Sequence, residues 1–393
     1  MESEAEKRLA KVAPILRGLL SEPSGNEDIP YSRVILKSVT TREARDFVAS
    51  ENRDNLKLSP VPLQNTEMPP LYVDSLAYEA SPEKMREQLD GAIKSYSKAH
   101  GSKPKVLLLP GVGILYAEKP LKKTLPLQSE VALVTGAAGA IGYGICLGLL
   151  EKGCYVAATD LPGERLNGLV EELREIAGER VIGVELDVTE RDSVAGGFKR
   201  VSRVWGGVDI VIVNAGIPLI GSLLEMDLED FRRLERVNVE GTLLTLSEAG
   251  RHLCLQGTGG DIVIISTKNV FAPGARFGAY SATKAAAHQL GRIASLELAE
   301  FGIRVNMVAP DAVFSAGKRK SGLWERIGPD RMRHRGIVDE KDLQDYYRNR
   351  NLLKAKVTAQ HVANAVLFFV TRQTPTTGAT IPVDGGLPDA TPR

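Results

Sequence analysis

The stretch Val131-Ala132-Leu133-Val134-Thr135-Gly136-Ala137-Ala138-Gly139-Ala140-Ile141-Gly142 runs from four apolar residues through a glycine-rich turn into residues of helical spacing. The apolar run reads as a strand covered on both faces, and Ile141–Leu150 reads as a helix. A helix entered in this way offers unpaired backbone N–H groups and the positive end of its dipole, a seat for a phosphate. Gly136 and Gly139 let the backbone approach a pyrophosphate, Ile141 begins the helix, and Gly142 lets that helix pack on the strand. The same composition also suits a merely structural turn. Asp160 weighs against that alternative, because it ends the next apolar strand (Tyr155–Ala158), 24 positions after Gly136. A carboxylate there can hydrogen-bond an adenosine ribose and repels a 2′-phosphate. No arginine stands beside it, so the reading favours NAD over NADP.

Working outward, Leu166–Ile176 is helical, Val181–Leu186 strand-like, Ser193–Val204 helical and Val208–Val213 strand-like. Asp227–Leu255 is mostly helical, and Ile262–Ile265, Ala279–Phe301 and Arg304–Val308 continue as strand, helix and strand. Short apolar runs alternating with longer amphipathic segments predict an α/β fold with a doubly wound parallel sheet over residues 127–393. Residues 1–120 form a smaller α+β region. There Leu9, Val12, Ile15, Leu16 and Leu19 have helical spacing with Pro14 as a kink, and Thr40 with Glu43 predicts a capping box. Ser81-Pro82-Glu83 starts a second helix, with Met85, Leu89 and Ile93 on one face, and Lys105–Leu109 is a strand. Ser59–Pro70, with four prolines, reads as linker, and a boundary falls in Ala117–Gln128, where Lys119-Pro120-Leu121-Lys122-Lys123 and Pro126 break the periodicity.

Composition excludes several classes. At 393 residues the chain is long for one domain, and 43% hydrophobic with 25% charged residues suits a globular core. Lys+Arg number 50 and Asp+Glu 49, a net +1, without the basic excess of a nucleic-acid binder. Cys146, Cys154 and Cys254 are scattered, with no C-x-x-C, so neither a disulfide framework nor a metal site is expected. No apolar run approaches the roughly 20 residues a membrane span requires. The start is charged and carries no secretory signal, so the expectation is a cytoplasmic protein.

Tyr280-Ser281-Ala282-Thr283-Lys284 lies at the start of a predicted helix, where positions four apart share a face. An ammonium there would lower a tyrosine pKa from about 10; an exposed surface pair is the plain alternative. Taken with the glycine turn, these residues resemble the short-chain dehydrogenase/reductase family over about residues 127–388. Asp187-Val188 matches its adenine-contacting pair, Asn214-Ala215-Gly216 its Asn-Ala-Gly element and Asn238 its helix asparagine. Tyr280 and Lys284 match its Tyr-x-x-x-Lys pair, Pro310, Val313 and Ser315 its cofactor loop, and Val383-Asp384-Gly385-Gly386 its closing strand.

The resemblance implies a Rossmann-type fold, a small-molecule alcohol or carbonyl substrate, and a homodimer or homotetramer in which the 279–301 helix packs on a second subunit. It implies that Tyr280 works as a phenolate, Lys284 holds a ribose and lowers the tyrosine pKa, and Asn238 positions a water. Three positions depart from the pattern: Ala140 for the middle glycine, Asp311 for the glycine after Pro310, and Thr267 for the catalytic serine. Threonine keeps the hydroxyl, so Thr267 is taken as the substrate-binding donor rather than Ser266, which alternation points to the other face. A catalytically idle dinucleotide-binding scaffold and an NADP-dependent carbonyl reductase stay open beside the NAD oxidoreductase.

Thr267-Lys268-Asn269-Val270-Phe271-Ala272-Pro273-Gly274, Ser321-Gly322-Leu323-Trp324 and Tyr347–Lys354 resemble the dehydrogenase half of bifunctional rhamnulose-1-phosphate aldolase/lactaldehyde (alcohol) dehydrogenases. Val106–Gly113 is similar to the tail of their class II aldolase half, although His100, the sole histidine before residue 252, cannot supply that half's zinc cluster. Lys268 and Asn269 are candidate substrate residues. Residues 317–356 hold twelve Lys/Arg and six Asp/Glu, net +6. Such a lid would attract an anion such as a sugar phosphate, or is a solvated helical face laced with ion pairs.

Overall fold

The computed structural model describes residues 2–62, 68–118, 125–317 and 319–390. Lys119–Lys123 of the expected boundary and Lys318 of the lid lie outside the described residues.

The first elements are α1 (Glu4–Leu20), β1 (Ile35–Val39), α2 (Arg42–Ala49), β2 (Leu71–Tyr72), α3 (Pro82–His100), β3 (Val106–Leu109) and β4 (Gly113–Glu118). Ser3 and Glu6 cap α1 reciprocally, and Pro14 sits inside the helix. The cap of α2 is Thr41, one residue beyond the expected Thr40: Thr41 keeps extended backbone while its hydroxyl accepts from Ala44 N at 3.3 Å. The strands form a sheet of order β1-β4-β3-β2, with only the β2/β3 pair parallel.

The larger sheet holds β5 (Val131–Val134), β6 (Tyr155–Asp160), β7 (Val181–Glu185), β8 (Ile210–Val213), β9 (Gly260–Ile265), β10 (Ile303–Pro310) and β11 (Thr380–Val383). Its order is β7-β6-β5-β8-β9-β10-β11, and every pairing is parallel. Alternation along each strand divides the core: Ala132, Val134, Val156 and Ala158 face α4 (Ala140–Glu151), α5 (Glu164–Ala177) and α12 (Ala359–Val370). Val131, Leu133 and Ala157 face the other layer, α6 (Arg191–Trp205), α8 (Gly241–Gln256) and α9 (Gly278–Glu297). α7 (Leu228–Glu235), α10 (Gly322–Arg335) and α11 (Glu340–Asn349) lie outside those layers. Strand order reverses between β5 and β8, which opens a crevice at their carboxyl ends.

α1 packs on α3 on one side and on α6 and α8 on the other. At that seam Arg17 is 0% exposed and donates to both oxygens of Asp209, at 2.7 and 2.6 Å, and to the carbonyls of Val34 and Ser129. Arg33 adds ion pairs to Asp209, at 3.1 Å, and to Glu130. These cations hold the Asp209 carboxyl down to about 2 against the opposing effect of burial. No described helix is long and apolar enough to cross a membrane.

Candidate active site

The crevice is a cleft of about 960 Å³ at the carboxyl ends of β5, β6, β8 and β9. Its phosphate end is built by the turn after β5. Gly136 has φ +62°, and a Cβ there would lie 2.8 Å from Ala215 Cα; one on Gly142 would lie 2.4 Å from the Gly136 carbonyl. Only hydrogen fits at either position, which leaves the N-terminus of α4 bare, as a pyrophosphate requires. Ala140 lies in the first turn of α4 without positive φ, so its methyl is accommodated. The hydroxyl of Thr135 accepts from the amides of Asn214 and Ala215, at 2.9 and 3.1 Å, and Asn214 Nδ2 donates to the carbonyls of Thr135 and Gly136. These bonds lock β5 to β8 at the point of reversal.

Asp160 ends β6 with its carboxylate accepting from Ala138 N and Leu161 N, each at 2.9 Å. α5 begins four residues on, and its Arg165 lines the same cleft. Asp187 and Val188 line the cleft after β7, where the Asp187 side chain accepts from Thr189 N and Oγ1. Gly139, Ile141, Ala215, Gly216, Pro310 and Val313 also line it. Ser315 is not among the lining residues: it pairs with Lys320 in a short hairpin. Asp311, in the glycine's place, binds Arg350.

The reactive end gathers Tyr280, Lys284, Thr267 and Asn238, all buried. Tyr280 and Lys284 stand one turn apart on α9, and Lys284 Nζ donates to the Ile265 carbonyl at 3.0 Å, at the end of β9. Thr267 follows that strand, receives Asn269 N at 3.3 Å and lies on the Tyr280 side of the cleft, where its hydroxyl acts to lower the phenol's pKa. Asn238 sits in a π-turn, Arg236–Glu240, between α7 and α8. Its Oδ1 accepts from Ile217 N at 2.9 Å while Nδ2 donates to the Ile217 carbonyl and Thr283 Oγ1, at 3.0 and 3.2 Å. The π-turn, a common interruption at functional sites, places Asn238 against α9. Sequence periodicity gave no sign of it.

Burial of the Tyr280 phenol works against the lowering of its pKa that the sequence leads one to expect. Burial pushes the Tyr280 phenol up to about 12, with the Thr267 hydroxyl pulling it back, and burial pushes the Lys284 amine down to about 8. With its ammonium turned to a carbonyl, Lys284 is not among the groups lowering the phenol. Lys268 and Asn269 also line the cleft, Lys268 donating to the Ala272 carbonyl at 2.9 Å. Arg165 and Phe277 line the cleft without having been singled out in the sequence, since neither carries a local motif, while Trp324 and Arg350 come from the quoted stretches and Arg331 from the basic lid.

The family model described as short chain dehydrogenase matches residues 130–326. An uncharacterized oxidoreductase of Bacillus subtilis, YuxG, is 28% identical over an alignment covering all of this chain and 66% of that protein, so the chain spans just under two thirds of that relative. A short-chain dehydrogenase/reductase of Armillaria gallica is 32% identical over 66% of this chain and 96% of its own. The crystal structure of sorbitol-6-phosphate 2-dehydrogenase SrlD from Erwinia amylovora superposes with a TM-score of 0.60 at 28% identity, over 65% of this chain and 98% of that one. Short-chain dehydrogenases bind a nicotinamide cofactor, NAD or NADP, and the cradle above Gly136 and Gly142 has room for one. By the family match and the parallel seven-stranded sheet, this chain belongs to the short-chain dehydrogenase family.

Proposed function

We infer that the protein is an NAD-dependent alcohol oxidoreductase. One observation carries the reading: a phenol, a hydroxyl and an amine converge at one end of a cleft whose other end is a bare helix N-terminus flanked by a carboxylate. Gly136, Gly139, Ile141 and Gly142 would hold the pyrophosphate, Asp160 the adenosine ribose, and Asp187 and Val188 the adenine. Asn214, Ala215, Gly216, Pro310, Val313 and Lys284 would hold the nicotinamide half. A bound nicotinamide supplies the hydride acceptor in oxidation and the donor in reduction.

The remaining chemistry belongs to the chain. Thr267 fixes the substrate oxygen by a hydrogen bond and orients the phenol. Tyr280 accepts the hydroxyl proton as the carbinol is oxidised and returns one to the carbonyl oxygen in the reverse direction. Asn238 fixes the Ile217 backbone and, through Thr283, α9, so it positions the pair. Because the phenol rests at about 12, its basic fraction grows about tenfold per pH unit below that value, so oxidation is expected to accelerate with rising pH.

Relatives named for alcohols and polyols support the substrate class: L-2,3-butanediol dehydrogenase of Corynebacterium glutamicum is among those this chain resembles. The match to the Bacillus protein over all of this chain supports reading residues 1–120 as a part shared with that longer protein, here serving as scaffold. Exposed Ile293 and Leu296 on α9 support packing on a second copy, and a cytoplasmic site fits the reading. Arg165 supports a second reading within the same chemistry, use of NADP. NADH absorbance across neutral polyols, polyol phosphates and lactaldehyde tests the proposal. Turnover falling about 10²–10⁴-fold in Tyr280→Phe is expected, whereas no turnover of any alcohol, or an unchanged Tyr280→Phe, would leave a dinucleotide-binding scaffold.

A further inference from the structure

Above Phe277 the cleft carries more positive charge than its carboxylates neutralise. Lys268 from the turn after β9, Arg331 from α10 and Arg350 beyond α11 converge there from three separate elements. Arg350 is already paired with Asp311. Lys268 donates to a neutral carbonyl at 2.9 Å. Arg331 is 7% exposed, donates Nε to the Tyr347 hydroxyl at 3.2 Å and lies 5.0 Å over the Phe277 ring. Among the described residues, no carboxylate lies within ion-pairing distance of Arg331 or Lys268.

A buried guanidinium without a carboxylate, beside a second cation, is an unfavourable arrangement unless an anion completes it. The strain registers on Lys268: burial first, then Arg350 and Arg331, push its amine down to about 8, against a partial offset by Asp311 and Asp389. The planar fork of Arg331 suits bidentate contact with an oxyanion. The position is adjacent to the chemistry as well. Lys268 directly follows Thr267, and Phe277, under Arg331, meets the Tyr280 ring edge-on at 6.2 Å.

We propose that Lys268 and Arg331, backed by Arg350, form a subsite for a terminal oxyanion, phosphoryl or carboxylate, of the alcohol whose carbinol meets Tyr280. This rests on the dehydrogenase reading above and names its substrate class. It also divides the basic residues of the lid, because Lys320 and Arg348 are spent on ion pairs with Glu340 and Asp345 at the surface while Arg331 faces inward.

Two measurements test it. The first is a titration of inorganic phosphate followed by tryptophan fluorescence, at constant ionic strength and with ADP-ribose saturating the glycine turn. Trp324 is the reporter, stacked 4.3 Å from Phe314 and edge-on at 4.7 Å to Tyr347, the partner of Arg331; Trp205 is in the core. A saturable change is expected, weakened at least tenfold in Arg331→Met and in Lys268→Met and unaffected in Arg232→Met on exposed α7. No saturable change, or equal affinity in all variants, overturns the subsite. The second compares kcat/KM for a neutral polyol, its terminal phosphate and the corresponding aldonic acid. At least a tenfold advantage for one charged form is expected and says which oxyanion is taken. Equal values overturn the subsite while NADH from the neutral polyol leaves the dehydrogenase reading standing. Phosphate binding with no NADH from any alcohol refutes that reading, and with it the substrate role given to the subsite.

Discussion

Replacing Arg17 by methionine tests how residues 1–120 are joined to the parallel sheet. The guanidinium is fully buried and makes two charge-assisted bonds to Asp209, at 2.7 and 2.6 Å, besides bonds to the Val34 and Ser129 carbonyls at 2.8 and 3.0 Å. Removing one partner of a buried ion pair costs about 3–5 kcal/mol, because the other charge is left uncompensated. Here Asp209 would keep Arg33 Nε at 3.1 Å, Gln256 Nε2 at 2.8 Å and Val131 N at 2.8 Å, so the lower end, about 3 kcal/mol, is expected. Equilibrium urea unfolding, followed by the fluorescence of core Trp205, measures it. The Asp209 carboxyl is depressed to about 2. A depressed acid contributes stability that is full above its unfolded value near 3.9 and lost as pH falls through about 2, so the Arg17→Met penalty should be constant from about pH 7 to pH 8, above the range in which His252 titrates. Adding Asp209→Asn to Arg17→Met removes the stranded charge and keeps an acceptor for Val131 N, and should recover at least about 1 kcal/mol although Asp209→Asn alone destabilises. An Arg17→Met loss below about 1 kcal/mol, or no recovery in the double variant, would refute the view that this ion pair clamps the two parts together.

Two further outcomes concern the sheet and the cofactor. His252 is buried, accepts from Val208 N through Nε2 at 2.9 Å, and is pushed down to about 4 by burial and then by Arg17. Its unfolded form binds a proton first, so stability should fall by about 3 kcal/mol as pH drops from about 6.5 to about 4. His252→Gln should flatten that slope in urea titrations, and parallel slopes would count against it. At the proposed adenosine end, Asp160→Asn should lower the NAD/NADP ratio of kcat/KM at least tenfold, because it removes a charge that would repel a 2′-phosphate and leaves Arg165 in the same cleft. Arg165→Met should move the ratio the other way; an unmoved ratio in both variants would place cofactor choice elsewhere.

Much of the site was legible because its parts are local. Gly136 to Gly142 is one turn, Asp160 is the end of the adjacent strand, and Tyr280 and Lys284 share a helix face through spacing alone. Alternating apolar runs likewise gave the doubly wound sheet, since strands covered on both faces must be apolar throughout. Ser315 lies in a short hairpin beyond Val313, and Arg165 went unnoticed because its place in the cleft depends on how α5 leaves β6.

The sequence by itself determined the fold class, the glycine turn and the Tyr280/Lys284 pair, each written within a few consecutive residues where backbone geometry alone sets who meets whom. Only the tertiary structure decided that Arg17 meets Asp209 across 192 positions, that Arg331 among many basic lid residues turns inward into the cleft that Lys268 also lines, and that burial pushes the Tyr280 phenol up. Such facts depend on desolvation and on charges brought together by packing, and neither is set by the order of residues within one element.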